Sequence, residues 1–115
     1  MRPAVIRVCA VGDIPEGEAI RVENGPTGVP IAVFNVGGSY YAIDDTCTHQ
    51  DASLADGYLE EEACAVECPL HAACFDLRTG EPSGPPARVP VRTHVVVVQG
   101  GQVLVQLQAA GTPIA

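Results

Sequence analysis

The sequence lacks tryptophan, and aromatic residues make up only 4% of its 115 residues, so its core cannot be built around large rings. Hydrophobic residues still reach 47%, which leaves valine, alanine, leucine and isoleucine to fill the core of one domain.

Basic residues are scarce as well. Six Lys and Arg stand against fourteen Asp and Glu, and the net charge of −8 argues against nucleic acid or an anionic membrane as a partner.

Long apolar runs are also missing. No segment approaches the ~20 consecutive apolar residues that a membrane helix requires. The first residues have neither the apolar stretch nor the small-residue cleavage site of a secretory signal. We therefore expect an acidic, monomeric protein that resides in the cytoplasm.

Cysteine and turn-forming residues, by contrast, are plentiful. The chain has five cysteines, an odd number, and a reducing cytoplasm disfavours structural disulfides, so these thiols are expected to be buried, reactive or metal-binding. Ten prolines and twelve glycines indicate a fold that is rich in turns. No helical window of about 11 residues remains between them.

The hydrophobic pattern predicts an all-β fold. Two Gly-Gly pairs, Gly37-Gly38 and Gly100-Gly101, each lie between strand-like runs and predict β-hairpins. In the last run, Val103, Val105 and Leu107 are predicted to form a continuous apolar face. The predicted strands are Ala4–Ala10, Glu18–Glu23, Ile31–Val36, Ser39–Ile43, Thr93–Gln99 and Gln102–Gln108.

The middle of the chain differs from its two ends. Residues 44–84 hold four of the five cysteines and two of the three histidines, with short strand-like stretches at 63–68 and 75–77. We predict an antiparallel β-sandwich base, formed by residues 1–43 and 85–115, into which residues 44–84 are inserted as a loop-built subdomain. Such an insert has little apolar content of its own, and a bound metal would order it.

Two short motifs carry the chemistry of this insert. Cys47-Thr48-His49 and Cys68-Pro69-Leu70-His71 each supply one thiolate and one imidazole, and eighteen residues separate them. In structural zinc sites, one motif usually supplies two cysteines and another supplies two histidines. Two motifs that each contain one cysteine and one histidine are therefore atypical for zinc. The cysteine spacing of plant-type ferredoxins cannot be made from this chain either. The remaining alternative is a chance occurrence of two unrelated turns.

C-x-H followed by C-x2-H resembles the Rieske-type [2Fe–2S] proteins, and most closely the small Rieske ferredoxins of bacterial aromatic-ring dioxygenase systems. The resemblance covers nearly the whole chain. Other stretches that resemble the family are 44–49, 53–57, 67–71 and 75–80, together with Val8-Cys9-Ala10 and 14–18 near the start.

The resemblance implies one Rieske-type [2Fe–2S] cluster and assigns its ligands. Cys47 and Cys68 would bind the inner iron, and His49 and His71 the outer iron near the surface. Ser83-Gly84-Pro85-Pro86 resembles the proline-bearing third loop that covers the cluster. Two departures remove no ligand: the spacer is slightly longer than is usual, which points to an insertion at a predicted turn over Tyr58–Glu62, and Ala72 replaces a common glycine.

The resemblance also bears on the reduction potential, which spans about −150 to +300 mV among Rieske centres. High-potential members have a disulfide between the ligand loops and hydroxyl donors to the cluster. The matching positions here are Ala52 and Leu70 for the disulfide and Ala73 and Phe75 for the hydroxyls, so neither feature can form. We expect a low-potential cluster.

Other titratable residues are given lesser roles. Cys9 and Cys64 are interpreted as small buried residues and Cys74 as a thiol that does not bind iron, although pairing with Cys64, a place in the cluster pocket or substitution as a ligand stay open. His94 is predicted to be a surface residue. The run Glu60-Glu61-Glu62 is the favoured docking segment, although the acidic residues can equally serve solubility.

The function that follows is one-electron transfer and not catalysis, because all four iron positions are filled by protein ligands. By the resemblance, the partners would be an NAD(P)H-dependent flavin reductase as donor and a terminal dioxygenase as acceptor. Two alternatives remain: a Rieske-like small subunit of an assimilatory nitrite reductase, and a structural zinc module that mediates protein interaction.

Overall fold

In the computed structural model, the described residues are 4–24, 28–48, 52–69, 73–83 and 89–107. They form nine β-strands and one short 3-10 helix, Leu54–Asp56. The strands are β1 Val5–Ala10, β2 Ala19–Val22, β3 Ile31–Val36, β4 Ser39–Asp44, β5 Tyr58–Glu60, β6 Ala65–Glu67, β7 Cys74–Asp76, β8 Thr93–Gln99 and β9 Gln102–Gln106. The all-β prediction is confirmed. No helix in these ranges is long and apolar enough to cross a membrane.

Six strands form the base. Their order is β1-β9-β8-β4-β3-β2, and every neighbouring pair is antiparallel. β1 pairs with β9, so the two ends of the chain meet in this sheet. Among the described residues, two ladder pairs join the halves β1-β9-β8 and β4-β3-β2: Ala42 pairs with His94 and Ile43 with Thr93. This narrow joint lets the halves face each other as the two layers of a sandwich.

Both predicted hairpins are present. Val36 pairs with Ser39 across Gly37-Gly38, and Gln99 pairs with Gln102 across Gly100-Gly101. All four glycines have φ between 58° and 95°, the left-handed region that two-residue hairpin loops need and that glycine adopts without strain.

The space between the two layers is filled mainly by small aliphatic side chains, as the composition predicts. We call this the base core: Cys9, Ile14, Ile31, Val33, Ala42, Val103, Val105 and Leu107. The predicted apolar face of the last strand is confirmed, since Val103, Val105 and Leu107 are at most 4% exposed. Leu107 lies just beyond β9, where its amide donates to the Ala4 carbonyl.

β5, β6 and β7 form a second, three-stranded antiparallel sheet. It belongs to a second core, here called the loop-side core: Ala32, Phe34, Ile43, Cys47, Leu54, Cys64, Val66, Cys68, Ala73, Phe75, Leu77 and Val91. Successive side chains of a strand point to opposite faces, so β3 contributes Ile31 and Val33 to the base core and Ala32 and Phe34 to the loop-side core. The hairpin β3-β4 is therefore a wall shared by the two cores.

Two predictions about local structure are wrong. Tyr58–Glu60 is a strand and not part of a turn, because its backbone pairs with β6, and the turn is confined to residues 61–64. His94 is not a surface residue: its side chain is fully buried, and its Nε2 lies 2.7 Å from Asp44 Oδ1. The partner carboxylate is what allows a polar ring to be buried there.

Candidate iron–sulfur site

The first loop, residues 47–52, follows β4. The Cys47 amide donates to the Ala52 carbonyl at 2.9 Å, which closes the loop. Just below, Thr46 and Ser53 form an isolated antiparallel bridge. The cysteine thus begins a loop whose two ends are held together by the backbone.

The second loop, residues 68–73, connects β6 to β7 and is closed in the same way. The Cys68 amide donates to the Ala73 carbonyl at 2.8 Å, and Glu67 pairs with Cys74 just below. Both loops therefore have a cysteine at the first position, an alanine at the sixth, and the same closing hydrogen bond.

The two cysteines lie in the same buried region. Cys47 is 4% exposed and Cys68 1% exposed, and both belong to the loop-side core. Burial of both thiols agrees with the inner position that the resemblance assigns to them. The donor chemistry fits a Rieske cluster at the inner end, since each loop presents one cysteine and contains one histidine.

The other two predicted ligands, His49 and His71, lie outside the described residues. So do Ala72, Leu70 and Gly84-Pro85-Pro86 of the third loop. Within the described ranges, no group of three or more His, Cys, Asp or Glu residues is gathered as a metal site. The complete ligand set therefore stays a prediction, of which the structure describes the two cysteines.

The first loop is tied to its surroundings at its base and near its tip. At the base, Asp45 Oδ1 accepts hydrogen bonds from Ser53 Oγ and from the Ala55 amide, both at 2.9 Å. Near the tip, Thr48 Oγ1 donates to the Val89 carbonyl at 2.7 Å. Thr48 thus joins the first loop to the segment that leads into β8.

Side chains near the loops offer few hydroxyl donors. Ala73 and Phe75, at the positions where high-potential relatives carry hydroxyls, are at most 1% exposed and have no polar side-chain group. The hydroxyls of Thr48 and Ser53 donate to the Val89 carbonyl and the Asp45 carboxylate. The hydroxyls of Thr48 and Ser53 are thus bonded to oxygen and not to sulfur.

The second sheet approaches the 3-10 helix so closely that only glycine fits at position 57. A Cβ on Gly57 would lie 2.2 Å from the Glu67 carbonyl oxygen and 3.1 Å from the Leu54 carbonyl oxygen. Glu67 directly precedes Cys68, so this close approach lies at the start of the second loop. The resemblance includes Gly57 only as part of the stretch 53–57. The close contact explains why this position requires glycine.

The remaining cysteines differ from one another. Cys9 is buried in the base core, as predicted. Cys64 is a buried free thiol, so pairing with Cys74 does not occur, but it lies in the turn before β6 with φ of 51°, an unusual conformation for a residue other than glycine. Its interaction with the Tyr41 hydroxyl raises the tyrosine pKa.

Cys74 is partly exposed on β7, and its Sγ lies 4.0 Å from Glu67 Oε1. Burial raises the pKa of the thiol, and the negative charges of Glu67 and Glu60 raise it further. A thiol in this setting is mostly protonated at neutral pH, which disfavours it as a nucleophile. The interpretation of Cys74 as a residue that does not bind iron stays a prediction.

The contacts of a partly buried carboxylate at the base of the first loop could not be predicted from the sequence. Asp44, the last residue of β4, contacts His94 Nε2 at 2.7 Å and Arg92 Nη1 at 3.5 Å. Its amide donates to the Arg92 carbonyl at 2.8 Å. These contacts hold the end of β4 against the start of β8, close to the point where the first loop begins. The paired position of Ala42 and His94 could be inferred only after the strand order was known.

The acidic run Glu60-Glu61-Glu62 is exposed at the end of β5 and in the following turn. The Glu61 carboxylate lies over the Gly17 turn of the base, where its Oε2 would be 3.2 Å from a Cβ at that glycine. Glu61 is thus directed back onto the protein, whereas Glu60 is on the exposed side of the second sheet. The docking role of this run stays a prediction.

Comparison with known proteins identifies the family. The Rieske [2Fe–2S] domain family matches residues 4–104. A curated relative from Escherichia coli strain K12, the 3-phenylpropionate/cinnamic acid dioxygenase ferredoxin subunit, is 50% identical over 105 residues, which cover 91% of this chain and 95% of the relative.

Solved structures agree with this relationship. The ferredoxin of carbazole 1,9a-dioxygenase from Nocardioides aromaticivorans IC177 has a TM-score of 0.85 at 35% identity and covers 91% of this chain and 99% of its own. A complex of reduced oxygenase and oxidized ferredoxin in carbazole 1,9a-dioxygenase contains a chain with a TM-score of 0.81 at 40% identity, covering 89% of this chain and 92% of that one.

Proposed function

The chain belongs to the Rieske [2Fe–2S] domain family, and we propose that it is the one-electron carrier of an aromatic-ring dioxygenase system, delivering electrons to a terminal oxygenase. The observation that carries this proposal is the pair of identically closed loops, each starting with a buried cysteine of one shared core. Membership of the family implies one Rieske-type cluster, and we propose that these two loops hold it. The protein is an electron-transfer component and not the catalytic enzyme.

We propose Cys47, His49, Cys68 and His71 as the four ligands. The two cysteines are buried at the inner end of the loops, and each histidine follows its cysteine by two or three residues. When bound, the cluster supplies a site that stores and releases one electron. Histidine ligands at the outer iron would shorten the path of the electron to a docked partner.

The potential is proposed to lie in the low part of the Rieske range. Ala73 and Phe75 have no side-chain donor for the cluster, and the described hydroxyls of the first loop bind elsewhere. Fewer hydrogen bonds to sulfur and a net charge of −8 both disfavour the added electron. Both effects lower the reduction potential, which suits a carrier that passes electrons on to a terminal oxygenase.

Two partners follow from this role. The acceptor would be a terminal oxygenase, since the solved carbazole 1,9a-dioxygenase complex pairs an oxygenase with a similar ferredoxin. The donor would be an NAD(P)H-dependent flavin reductase. The excess of acidic residues would attract basic surfaces on both partners at low ionic strength, with Glu60–Glu62 as the proposed docking segment. The carrier would act in the cytoplasm as a monomer, with no nucleic-acid or membrane partner.

The alternatives have less support. A nitrite reductase small subunit would share the fold, but the relative and both structures described above belong to dioxygenase systems. A structural zinc module does not agree with membership of the Rieske family. A zinc protein would also be colourless and redox-silent.

An EPR-monitored redox titration of the purified protein tests the proposal. We expect a rhombic Rieske signal that appears only at low potential. A signal well above 0 mV would keep the cluster but refute the reasoning about hydrogen bonds and charge. No signal, with zinc found by metal analysis, would refute the electron-carrier function.

The ligand assignment has its own matched test, because the chain has three histidines. His49→Ala and His71→Ala are expected to abolish the Rieske spectrum. His94→Gln is the control: it removes the remaining histidine, which contacts Asp44 and lies outside both motifs, and should retain the spectrum. An unchanged spectrum and potential in His49→Ala would refute the assignment.

A further inference from the structure

The two loops are closed alike but supported differently. The second loop rises from the hairpin β6-β7, whose strands form three consecutive residue pairs below it. In the described part of the first loop and its base, the isolated bridge between Thr46 and Ser53 is the one ladder pair, because the chain enters the 3-10 helix directly after Ser53. The first loop therefore lacks the next residue pairs of a ladder that would keep its two ends in register.

Asp45 occupies the place of the missing pair. Its carbonyl accepts a hydrogen bond from the Leu54 amide at 2.7 Å, which together with the Cys47–Ala52 bond forms the bridge between Thr46 and Ser53. Its carboxylate Oδ1 accepts from Ser53 Oγ and from the Ala55 amide, both at 2.9 Å. Three consecutive residues on the returning strand of the loop thus donate to one residue on the outgoing strand.

The same carboxylate also faces the base. Its second oxygen, Oδ2, lies 3.7 Å from the Nε of Arg21 on β2. Asp45 is only 2% exposed, and a buried carboxylate is costly unless its oxygens have donors or an opposite charge. Here one oxygen has two hydrogen-bond donors and the other faces a guanidinium group, so the position can hold a charged side chain.

The equivalent position of the second loop shows the contrast. Asp45 is two residues before Cys47, and two residues before Cys68 stands Val66, which is fully buried and packs within the loop-side core. Where the ladder is present, an apolar side chain suffices. Where it is absent, a carboxylate accepts from the Ala55 amide, a backbone donor that a continued ladder would have paired, and from the Ser53 hydroxyl.

We propose that Asp45 is the positioning residue of the first loop: its carboxylate replaces the missing ladder and thereby sets the placement of Cys47 toward the cluster. The inference rests on the ligand assignment proposed above. It predicts that the acceptor oxygen at position 45, and not its charge alone, determines how well the cluster is retained.

The test compares three variants of the cluster-loaded protein by two measurements: the rate at which visible absorbance bleaches in the presence of an iron chelator, and the EPR g-values after reduction. Asp45→Ala removes the acceptor and the charge. Asp45→Asn keeps an oxygen for Ser53 and Ala55 and removes only the charge. Val103→Ala is the control, since it opens a cavity in the base core, away from both loops.

We expect Asp45→Ala to bleach roughly tenfold faster than the unmodified protein, as loss of charged hydrogen bonds implies, with altered g-values. Asp45→Asn and Val103→Ala should stay within about threefold of the unmodified rate and keep its g-values. An Asp45→Ala rate no faster than that of Val103→Ala would overturn the proposal. Equal rates for Asp45→Ala and Asp45→Asn would also overturn it, because the charge alone would then matter.

If Asp45→Ala does not accumulate as folded protein, Ser53 decides the question. Ser53→Ala removes one donor and should bleach several-fold faster, whereas Ser53→Thr keeps the hydroxyl and should restore the rate. Equal rates for these two variants would overturn the proposal. A Rieske signal absent from the unmodified protein would overturn the ligand assignment and this inference with it, whereas a normal signal with unaffected variants would overturn the inference alone.

Discussion

Gly57 offers the sharpest test of how the second sheet positions its loop. A methyl group at this position would lie 2.2 Å from the Glu67 carbonyl oxygen, far inside van der Waals contact. Both that oxygen and the Leu54 carbonyl on the other side belong to the backbone, so neither can rotate away. Gly57→Ala must therefore displace either the 3-10 helix or the end of β6 by about 1 Å.

The expected cost can be bounded from the backbone. Gly57 has φ of −78°, which any residue adopts, so alanine introduces no torsional strain here. Alanine also restricts the unfolded chain, which favours folding by about 0.4–1 kcal/mol. Overpacking costs about 1–3 kcal/mol or somewhat more against rigid backbone, so we expect a net loss near 2 kcal/mol. For a domain of this size that lowers Tm by roughly 8 °C.

The assay is thermal unfolding of the cluster-loaded protein, followed by circular dichroism and by visible absorbance. Gly12→Ala is the control: its φ of 97° strains an alanine, but no atom lies within 4 Å of the added methyl group. Gly12→Ala should lower Tm without changing the rate of cluster loss at low temperature. Gly57→Ala should lower Tm and also speed cluster loss, because Glu67 precedes Cys68. A Gly57→Ala protein as stable as the unmodified one would refute the steric argument.

Two further predictions concern Cys74 and His94. Because burial and then the Glu67 and Glu60 carboxylates raise the pKa of the Cys74 thiol, its thiolate fraction at pH 8 is small, and its alkylation by iodoacetamide should be slower than that of cysteine in an unfolded peptide. Glu67→Gln should move the pH–rate profile of Cys74 to lower pH, and an unmoved profile would contradict the charge effect. His94→Leu should lower the free energy of unfolding in urea by about 1–3 kcal/mol, since Asp44 loses its buried partner. The folded His94→Leu protein should keep its Rieske EPR signal, and loss of that signal would refute the exclusion of His94 as a ligand.

Local chemistry explains what could be predicted from the sequence. The two Gly-Gly pairs determine hairpins through their positive φ, and alternating valines determine which face of β9 is buried. The spacing of the Cys and His motifs indicated the family, which the comparison confirms. Each of these features depends on residues that are close together in the chain.

Contacts between distant segments could not be predicted in the same way. His94 looked like a surface residue because its partner, Asp44, is fifty positions away and becomes a neighbour only when β4 pairs with β8. Tyr58–Glu60 carries two polar or charged residues around one leucine, a weak strand pattern, and pairing with β6 overrides it. Asp45 stood out in the sequence only as one of two adjacent acids, and its role depends on where the 3-10 helix begins.

The shared wall formed by β3 and β4 limits how the site can be transplanted. Ala32, Phe34 and Ile43 close the loop-side core from outside the segment that carries the two loops. A peptide spanning residues 44–83 would contain both cysteine motifs yet leave Cys47 and Cys68 with one side of their surroundings open to water. An engineered electron-transfer centre derived from this protein would therefore need to include the hairpin Ile31–Asp44, whose opposite face in turn requires an apolar surface in the new host.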